Sequence, residues 1–253
     1  MKRLAILMLA MTLFACNSTK VKQETTNRDT REQQPEQVYF KSIGTEPFWA
    51  IEISARQIKY TTPENTEGIV FDGVEPVRVM DANIKSYHSR SKAGEIKITI
   101  TQGKCSDGMS DQEHNYAVKV ALKLTGDKDF KNLQGCGNYI VDYRLHDIWV
   151  LEEMEGQKVA DSDFNTRPNM EINAAEARFS GSAGCNRMFG KLFSERNLLR
   201  FTGIGTTRML CDKISNEAKF LKALESATGY EIKNNRLYLS NPDGIKLVFK
   251  KVD

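Results

Sequence analysis

The chain has almost no excess of charge. Its 253 residues carry 36 Lys+Arg against 33 Asp+Glu, a formal +3. That balance excludes a dedicated nucleic-acid binder, which needs a basic surface to meet phosphate. With 27% charged and 40% hydrophobic residues, a collagen-like or wholly disordered chain is excluded as well. A bilayer-spanning apolar run is also missing. The run from Leu4 to Ala15 has twelve residues, about 18 Å as a helix, where a bilayer core needs about 30 Å. No C-x-x-C occurs, which removes dithiol redox catalysis. There is no G-x-x-x-x-G-K-[ST] phosphate loop. The three histidines, His88, His114 and His146, have no Ser or Cys nucleophile signature near them.

What the first residues do contain is an export signal. Lys2 and Arg3 precede the short apolar run, so residues 1–15 read as a signal peptide. The run ends in Leu13-Phe14-Ala15-Cys16, which resembles a bacterial lipobox. The resemblance implies a diacylglyceryl group on Cys16, which becomes the new N-terminus and anchors the chain by several buried acyl chains. Asn17 is not the aspartate that retains many such lipoproteins in the inner membrane. The expected location is therefore the outer membrane, on its periplasmic face. Cleavage removes Lys2 and Arg3 and leaves 34 basic against 33 acidic residues, or +1. Membrane affinity then rests on the lipid. Residues 16–37, poor in apolar side chains, form a disordered tether. Extended, it reaches about 70 Å; as a coil, about 25 Å.

Beyond Cys16 stand Cys105, Cys136, Cys185 and Cys211, which allow three pairings. An exported chain meets an oxidising compartment, so disulfides are expected. If the chain divides near residue 147, the parsimonious pairs are Cys105–Cys136 and Cys185–Cys211. The metal alternative is a Cys₂His₂ set of Cys105, His114, Cys136 and His146, but its spacing matches no zinc motif. Neither a metal nor a cofactor is expected.

From Val38 the apolar residues recur with period two. Trp49, Ile51 and Ile53 share a face; so do Ile96, Ile98 and Ile100, and Tyr116, Val118, Val120, Leu122 and Leu124. Tyr139, Val141, Tyr143 and Leu145 predict a further strand. Residues 38–146 thus form an antiparallel β domain, a small barrel or sandwich. Residues 147–253 open with the strand Ile148–Leu151 and continue in short strands. One helix is predicted from Asn216 to Thr228, with Ser215 as N-cap, Gly229 at its end, and Phe220, Leu221, Leu224 and Ala227 on one side. Asn234-Asn235 and Asn241 to Gly244 are turns. The fold class is mainly β (α+β).

Two blocks in the second half carry a family resemblance. The first is Gly181-Ser182-Ala183-Gly184-Cys185-Asn186-Arg187, followed by Phe189-Gly190. The second is Thr206-Thr207-Arg208-Met209-Leu210-Cys211, followed by Glu217 and Phe220-Leu221. Residues 148–252 thereby resemble the META domain, the family of the HslJ heat-shock protein; Leu210 departs from the commoner alanine. The resemblance implies a β-rich half-barrel with one packed helix, similar to secretin pilotins. It also implies a cell-envelope lipoprotein linked to stress tolerance, with no enzymatic activity as a family property. Residues 39–146, with Gly44-Thr45-Glu46-Pro47-Phe48-Trp49 and Cys105 to Asp111, resemble a poorly characterised lipoprotein domain, which implies a β barrel with a disulfide.

The candidate binding residues are Asn186, Arg187 and Arg208, brought together if the disulfide joins the two blocks; arginine suits planar anions, and the alternative is that the cluster stabilises the turns. Trp49 reads as core and Glu46 as a turn residue. Asp107, Ser110 and Asp111 read as a turn rather than a calcium or acid–base site. The expected function is a non-enzymatic, tethered binding module for an envelope protein or apolar peptide, with no nucleic acid. The alternatives are an inhibitor of a lysozyme-type hydrolase and, third, a hydrolase or metal-binding protein.

Overall fold

A computed structural model describes residues 37–109 and 113–252. The signal peptide, Cys16, the tether up to residue 36, Ser110 and Asp111 lie outside the described residues. The first sheet contains β1 (Val38–Thr45), β2 (Phe48–Ser54), β3 (Gln57–Thr62), β4 (Asn65–Asp72), β5 (Val77–Arg78), β6 (Ile84–Ser91), β7 (Gly94–Ser106), β8 (Glu113–Leu124) and β9 (Lys131–Tyr139). Its strand order is β4-β3-β2-β1-β9-β8-β7-β6-β5, and every pairing is antiparallel. The sheet curls until its two ends meet. There the Ser89 hydroxyl of β6 donates to the Asp72 carbonyl of β4 at 2.7 Å, and Ser91 donates to Val70 at 3.4 Å. Two hydroxyls at this seam stand where a barrel would have a backbone ladder.

The period-two faces point into this curl. Trp49, Ile51, Ile53, Ile96, Ile98, Ile100, Tyr116, Val118, Val120 and Leu122 are all buried. Trp49 fits because its neighbours have no side chains. The indole lies across Gly44 and Gly135 of the adjoining strands, and a Cβ at Gly135 would come within 2.7 Å of its Cζ2.

The second sheet contains β10 (Asp147–Met154), β11 (Gln157–Lys158), β12 (Asn169–Asn173), β13 (Arg178–Ser182), β14 (Arg187–Glu195) and β15 (Leu198–Thr206). After the helix α1 (Ile214–Ser226) come β16 (Gly229–Lys233), β17 (Arg236–Asn241) and β18 (Gly244–Lys251). The order is β11-β10-β12-β13-β14-β15-β16-β17-β18, and β18 also pairs with β10. The ring is incomplete at one place: β15 and β16 share the single register position Leu198↔Gly229. Helix α1, which links these strands in sequence, packs against β15 and β18. It places Phe220, Ala223 and Leu224 in the core with Trp149, Leu151 and Phe249. A half-barrel carrying one helix is the result.

Two sequence expectations are corrected. Residues 139–145 do not form one strand. β9 stops at Tyr139, and Tyr143–Leu145 is a 3-10 turn whose N-cap, Asp142, accepts from the Arg144 backbone N–H at 2.9 Å. A buried aspartate with a local backbone donor diverts the alternating pattern into a turn. The helix runs from Ile214 to Ser226 rather than from Asn216 to Thr228. Its N-cap is Lys213, so Ser215 lies inside the helix. Gly229 starts β16 instead of capping the helix, and Ala227 closes it by donating to the Leu224 carbonyl. The Asn234-Asn235 turn has both residues at positive φ, 51° and 56°, as a two-residue hairpin turn requires.

Candidate functional site

The two family blocks meet at one end of the second sheet. Cys185 and Cys211 are disulfide-bonded with their Cα atoms 6.4 Å apart, and Cys105 and Cys136 with theirs 5.6 Å apart. Both separations suit a disulfide. With the Cys105 and Cys136 sulfurs joined to each other, the Cys₂His₂ metal alternative loses its thiolates. Among the described residues no three His, Cys, Asp or Glu side chains gather as a metal site.

Asn186 is the centre of this end, and it is buried. Its Nδ2 donates to Glu217 Oε1 at 2.8 Å. Its Oδ1 accepts from the Thr207 hydroxyl at 2.9 Å and from the Met209 backbone N–H at 2.7 Å. Glu217, in the first turn of α1, is buried too. Its Oε2 accepts the backbone N–H groups of Cys185 at 3.1 Å and Asn186 at 2.7 Å. The carboxylate therefore takes up donors that the tight 184–186 turn would leave unpaired. Gly184 sits at φ 113°, and a Cβ there would collide with the Phe164 ring. Asn186 is thus committed to holding the fold, and its polar atoms face inward.

Arg187 and Arg208 behave differently. Both are exposed, and neither side chain has an ion pair among the described residues. They flank the loop that Asn186 and the disulfide hold in place. That loop bears Met209 at 54%, Leu210 at 104% and Ile214 at 48% exposure. Three large apolar side chains in solvent, on a segment fixed at Met209 and Cys211, are the surface this machinery supports.

A second polar constellation joins the two sheets. The β14–β15 hairpin turns at Arg196, φ 60°, and carries Glu195 into the first sheet. Glu195 Oε1 accepts from the Tyr116 hydroxyl at 2.5 Å and from Asn83 Nδ2 at 2.7 Å. Its Oε2 pairs with Lys85 Nζ at 2.7 Å. Lys85, Tyr116 and Glu195 are all buried. Burial alone would raise the Glu195 pKa, but the donors from Lys85, Tyr116 and Asn83 outweigh it and hold the carboxyl below its ordinary range. The Tyr116 phenol moves the other way: burial, then the Glu195 carboxylate, push it up. Lys85 Nζ also lies 5.3 Å from the Tyr139 ring centroid. Next to it, Arg196 pairs with Glu75 and stacks 5.1 Å from the Tyr39 ring, while the Tyr230 hydroxyl donates to Asp142 at 3.1 Å. None of these residues stands out from composition or motif. The available signal is Lys85, which occupies the inward phase of β6 with Tyr87 and Ser89.

The remaining candidates are separate. His88 pairs with Glu95 at 2.7 Å on the surface. His114 meets Asn138 at 3.1 Å, and His146 accepts from the Ala174 backbone N–H at 3.3 Å. Asp107 Oδ1 accepts from the Met109 N–H at 3.0 Å, the contact of a turn. Trp49 is buried and Glu46 precedes the cis Pro47.

Residues 142–253 match the family model described as META domain. The match starts five residues before the expected boundary at 147 and takes in the Asp142 turn. Two solved structures are similar. One, described as the NMR structure of the protein, is 24% identical, with a TM-score of 0.35, over 42% of this chain and 90% of its own. The other, an NMR structure of a protein from Burkholderia xenovorans, is 26% identical, with a TM-score of 0.36, over 43% of this chain and 85% of its own. Among curated proteins, none matches the chain.

Proposed function

We propose that the META domain of this chain is the contact-making part of a non-enzymatic, lipid-anchored binding module of the cell envelope, held at the periplasmic face of the outer membrane through Cys16. The observation that carries this is the loop from Arg208 to Ile214. Its Met209, Leu210 and Ile214 side chains are exposed, while Asn186 and the Cys185–Cys211 bond hold its backbone at Met209 and Cys211. The buried Asn186 amide accepts from the Met209 N–H and the disulfide holds Cys211, which gives the loop backbone a fixed shape, while Glu217 holds Asn186 in turn. A loop whose backbone is already held loses little backbone entropy on binding, and its exposed apolar side chains favour an apolar peptide or protein partner. Arg187 and Arg208 at the edge supply polar contacts that a rim requires. Confinement by the lipid raises the module's local concentration near such partners.

The test is site-specific photocrosslinking from position 210 in intact cells that express the full chain. A discrete envelope-protein adduct is expected. It should disappear when Met209→Asp is added, with thermal unfolding unchanged. Radiolabelled palmitate should enter the wild-type chain and not Cys16→Ala. No adduct above that from a crosslinker at exposed Lys219 overturns the binding reading, and failure of palmitate to enter overturns the anchor.

A further inference from the structure

The outer face of the second sheet is indented where β14 and β15 meet. Lys191 pairs with Thr202 and Phe189 with Gly205, so Gly203 and Ile204 oppose Gly190 alone. Gly203, at φ 60°, lets the extra residue fit. At the bulge the outer surface is bare backbone at Gly203, where a side chain would meet nothing, and at Gly190, whose Cβ direction points inward to the Phe179 ring. A groove of about 520 Å³ results, and it is lined by side chains of β12, β13 and β14. Bulges of this kind re-aim side chains at functional surfaces.

Two cross-strand rows form its banks. Glu171, Ser180 and Phe189 lie side by side in register; next to them, Arg178 is directly opposite Lys191. Phe189 is 57% exposed, and its outer ring edge lies over Gly205, where a Cβ would come within 2.6 Å of Cζ. The ring is thus held by the sheet with much of its surface open. Covering a glycine explains that contact. It does not explain the second row. Like charges directly opposite each other on a sheet are destabilising. Arg178 and Lys191 are nonetheless placed so, both exposed and without an ion pair among the described residues. The side chains of Glu171 and Glu176, also on the groove, have no hydrogen-bond or ion-pair partner there either.

We propose that this groove binds an acidic saccharide, with a pyranose ring against Phe189 and its carboxylate or phosphate between Arg178 and Lys191. The chemistry of the lining selects this class. An aromatic face carries negative quadrupole density, which attracts the slightly positive C–H hydrogens of a sugar face. Sugar hydroxyls donate and accept, so they use the free Glu171 and Glu176 carboxylates and the Ser180 hydroxyl together. The acidic group pairs directly with Arg178 and Lys191, neither of which has an ion pair among the described residues. An extended peptide would leave the two glutamates facing backbone carbonyls. The site is separate from the apolar loop, and its existence does not depend on that loop's role.

The test uses the full chain in detergent and isothermal titration with four probes: a hyaluronan tetrasaccharide, which bears glucuronate; neutral chitotetraose; tetraglutamate; and inorganic phosphate. The hyaluronan tetrasaccharide is expected to bind at one site, about tenfold tighter than chitotetraose. Phe189→Ala should weaken it about tenfold, and Phe189→Trp should restore it. Lys191→Ala should abolish the preference for the acidic sugar. Both positions are on the surface, and unchanged thermal unfolding checks that the variants fold. Leu210→Asp should leave saccharide binding intact, so failure of the loop reading and of this one are told apart. Absence of saturable binding by either saccharide overturns the proposal. So does tetraglutamate or phosphate binding as tightly as the acidic sugar, which would make the site a peptide or simple anion patch, or a Phe189→Ala variant that binds unchanged.

Discussion

Replacing Glu195 with alanine tests the junction of the two sheets most directly. The carboxylate is the shared acceptor of Lys85, Asn83 and Tyr116, and its side chain is 7% exposed, against 9% for Lys85. Its removal leaves a buried ammonium group with only the neutral Asn83 Oδ1, 2.5 Å away, to accept from it, and a phenol hydroxyl without its acceptor. Breaking a buried pair from one side costs about 3–5 kcal/mol, because the surviving charge is uncompensated. That is a large part of a typical stability of about 5–15 kcal/mol. For a chain of this size it shifts Tm by on the order of 10 °C. Urea unfolding followed by tryptophan fluorescence and far-UV circular dichroism measures it, since Trp49 and Trp149 report one sheet each. The wild type should unfold in one transition at both probes, and Glu195→Ala should separate them. The Lys85→Met/Glu195→Leu pair should recover most of the loss, because no charge is then left buried. A loss below about 1 kcal/mol for Glu195→Ala would refute the reasoning, since only a solvated, screened pair is worth so little.

Acid should weaken the same junction. The Glu195 pKa is depressed in the fold, so its stabilisation is complete above the unfolded value of about 4.3 and is lost as pH falls through the folded one. Thermal unfolding between pH 7 and pH 2 should show this acid limb, and Glu195→Gln should shrink it. Asn186→Ala removes the acceptor of the Met209 N–H and one donor to Glu217. A loss of about 2–4 kcal/mol is expected in urea titration, with faster protease cleavage near Met209. Gly135→Ala places a Cβ against Trp49 and the Ile43 carbonyl. It should destabilise by about 1–3 kcal/mol or more and alter the near-UV dichroism of the indole, whereas Gly103→Ala, where nothing lies nearby, should not.

Much of the fold is legible in the sequence because period two is a local property. The inward faces of β2, β7 and β8 follow from alternation alone. The cysteine pairs follow from dividing four cysteines between two halves. The segment after Tyr139 misleads because Val141 and Leu145 keep the alternation while Asp142 captures a backbone N–H. The helix start misleads for a similar reason. Ser215 and Glu217 resemble a cap, yet the Glu217 carboxylate turns to the distant Cys185–Asn186 backbone. Motif spacing brings Asn186 to the right place and leaves binding and turn stabilisation open; its hydrogen bonds to Glu217, Thr207 and Met209 become visible only in three dimensions. Glu195 and Tyr116 are 79 residues apart, and no local pattern joins them. The outer groove depends on a bulge, which is a property of register between β14 and β15 and of neither strand alone.

The lone join between β15 and β16 has a consequence for how the molecule avoids its neighbours. Beyond Leu198 the far side of β15 pairs with no strand among the described residues, and α1 packs against β15. A bare strand margin is a template for another polypeptide, and a helix laid along it is one of the ways proteins prevent self-association. Phe220 and Leu224 therefore do more than fill an interior: they fasten a shutter. If they loosen, clumping should set in while most of the ring is still paired, and solubility rather than melting would be the first property to fail.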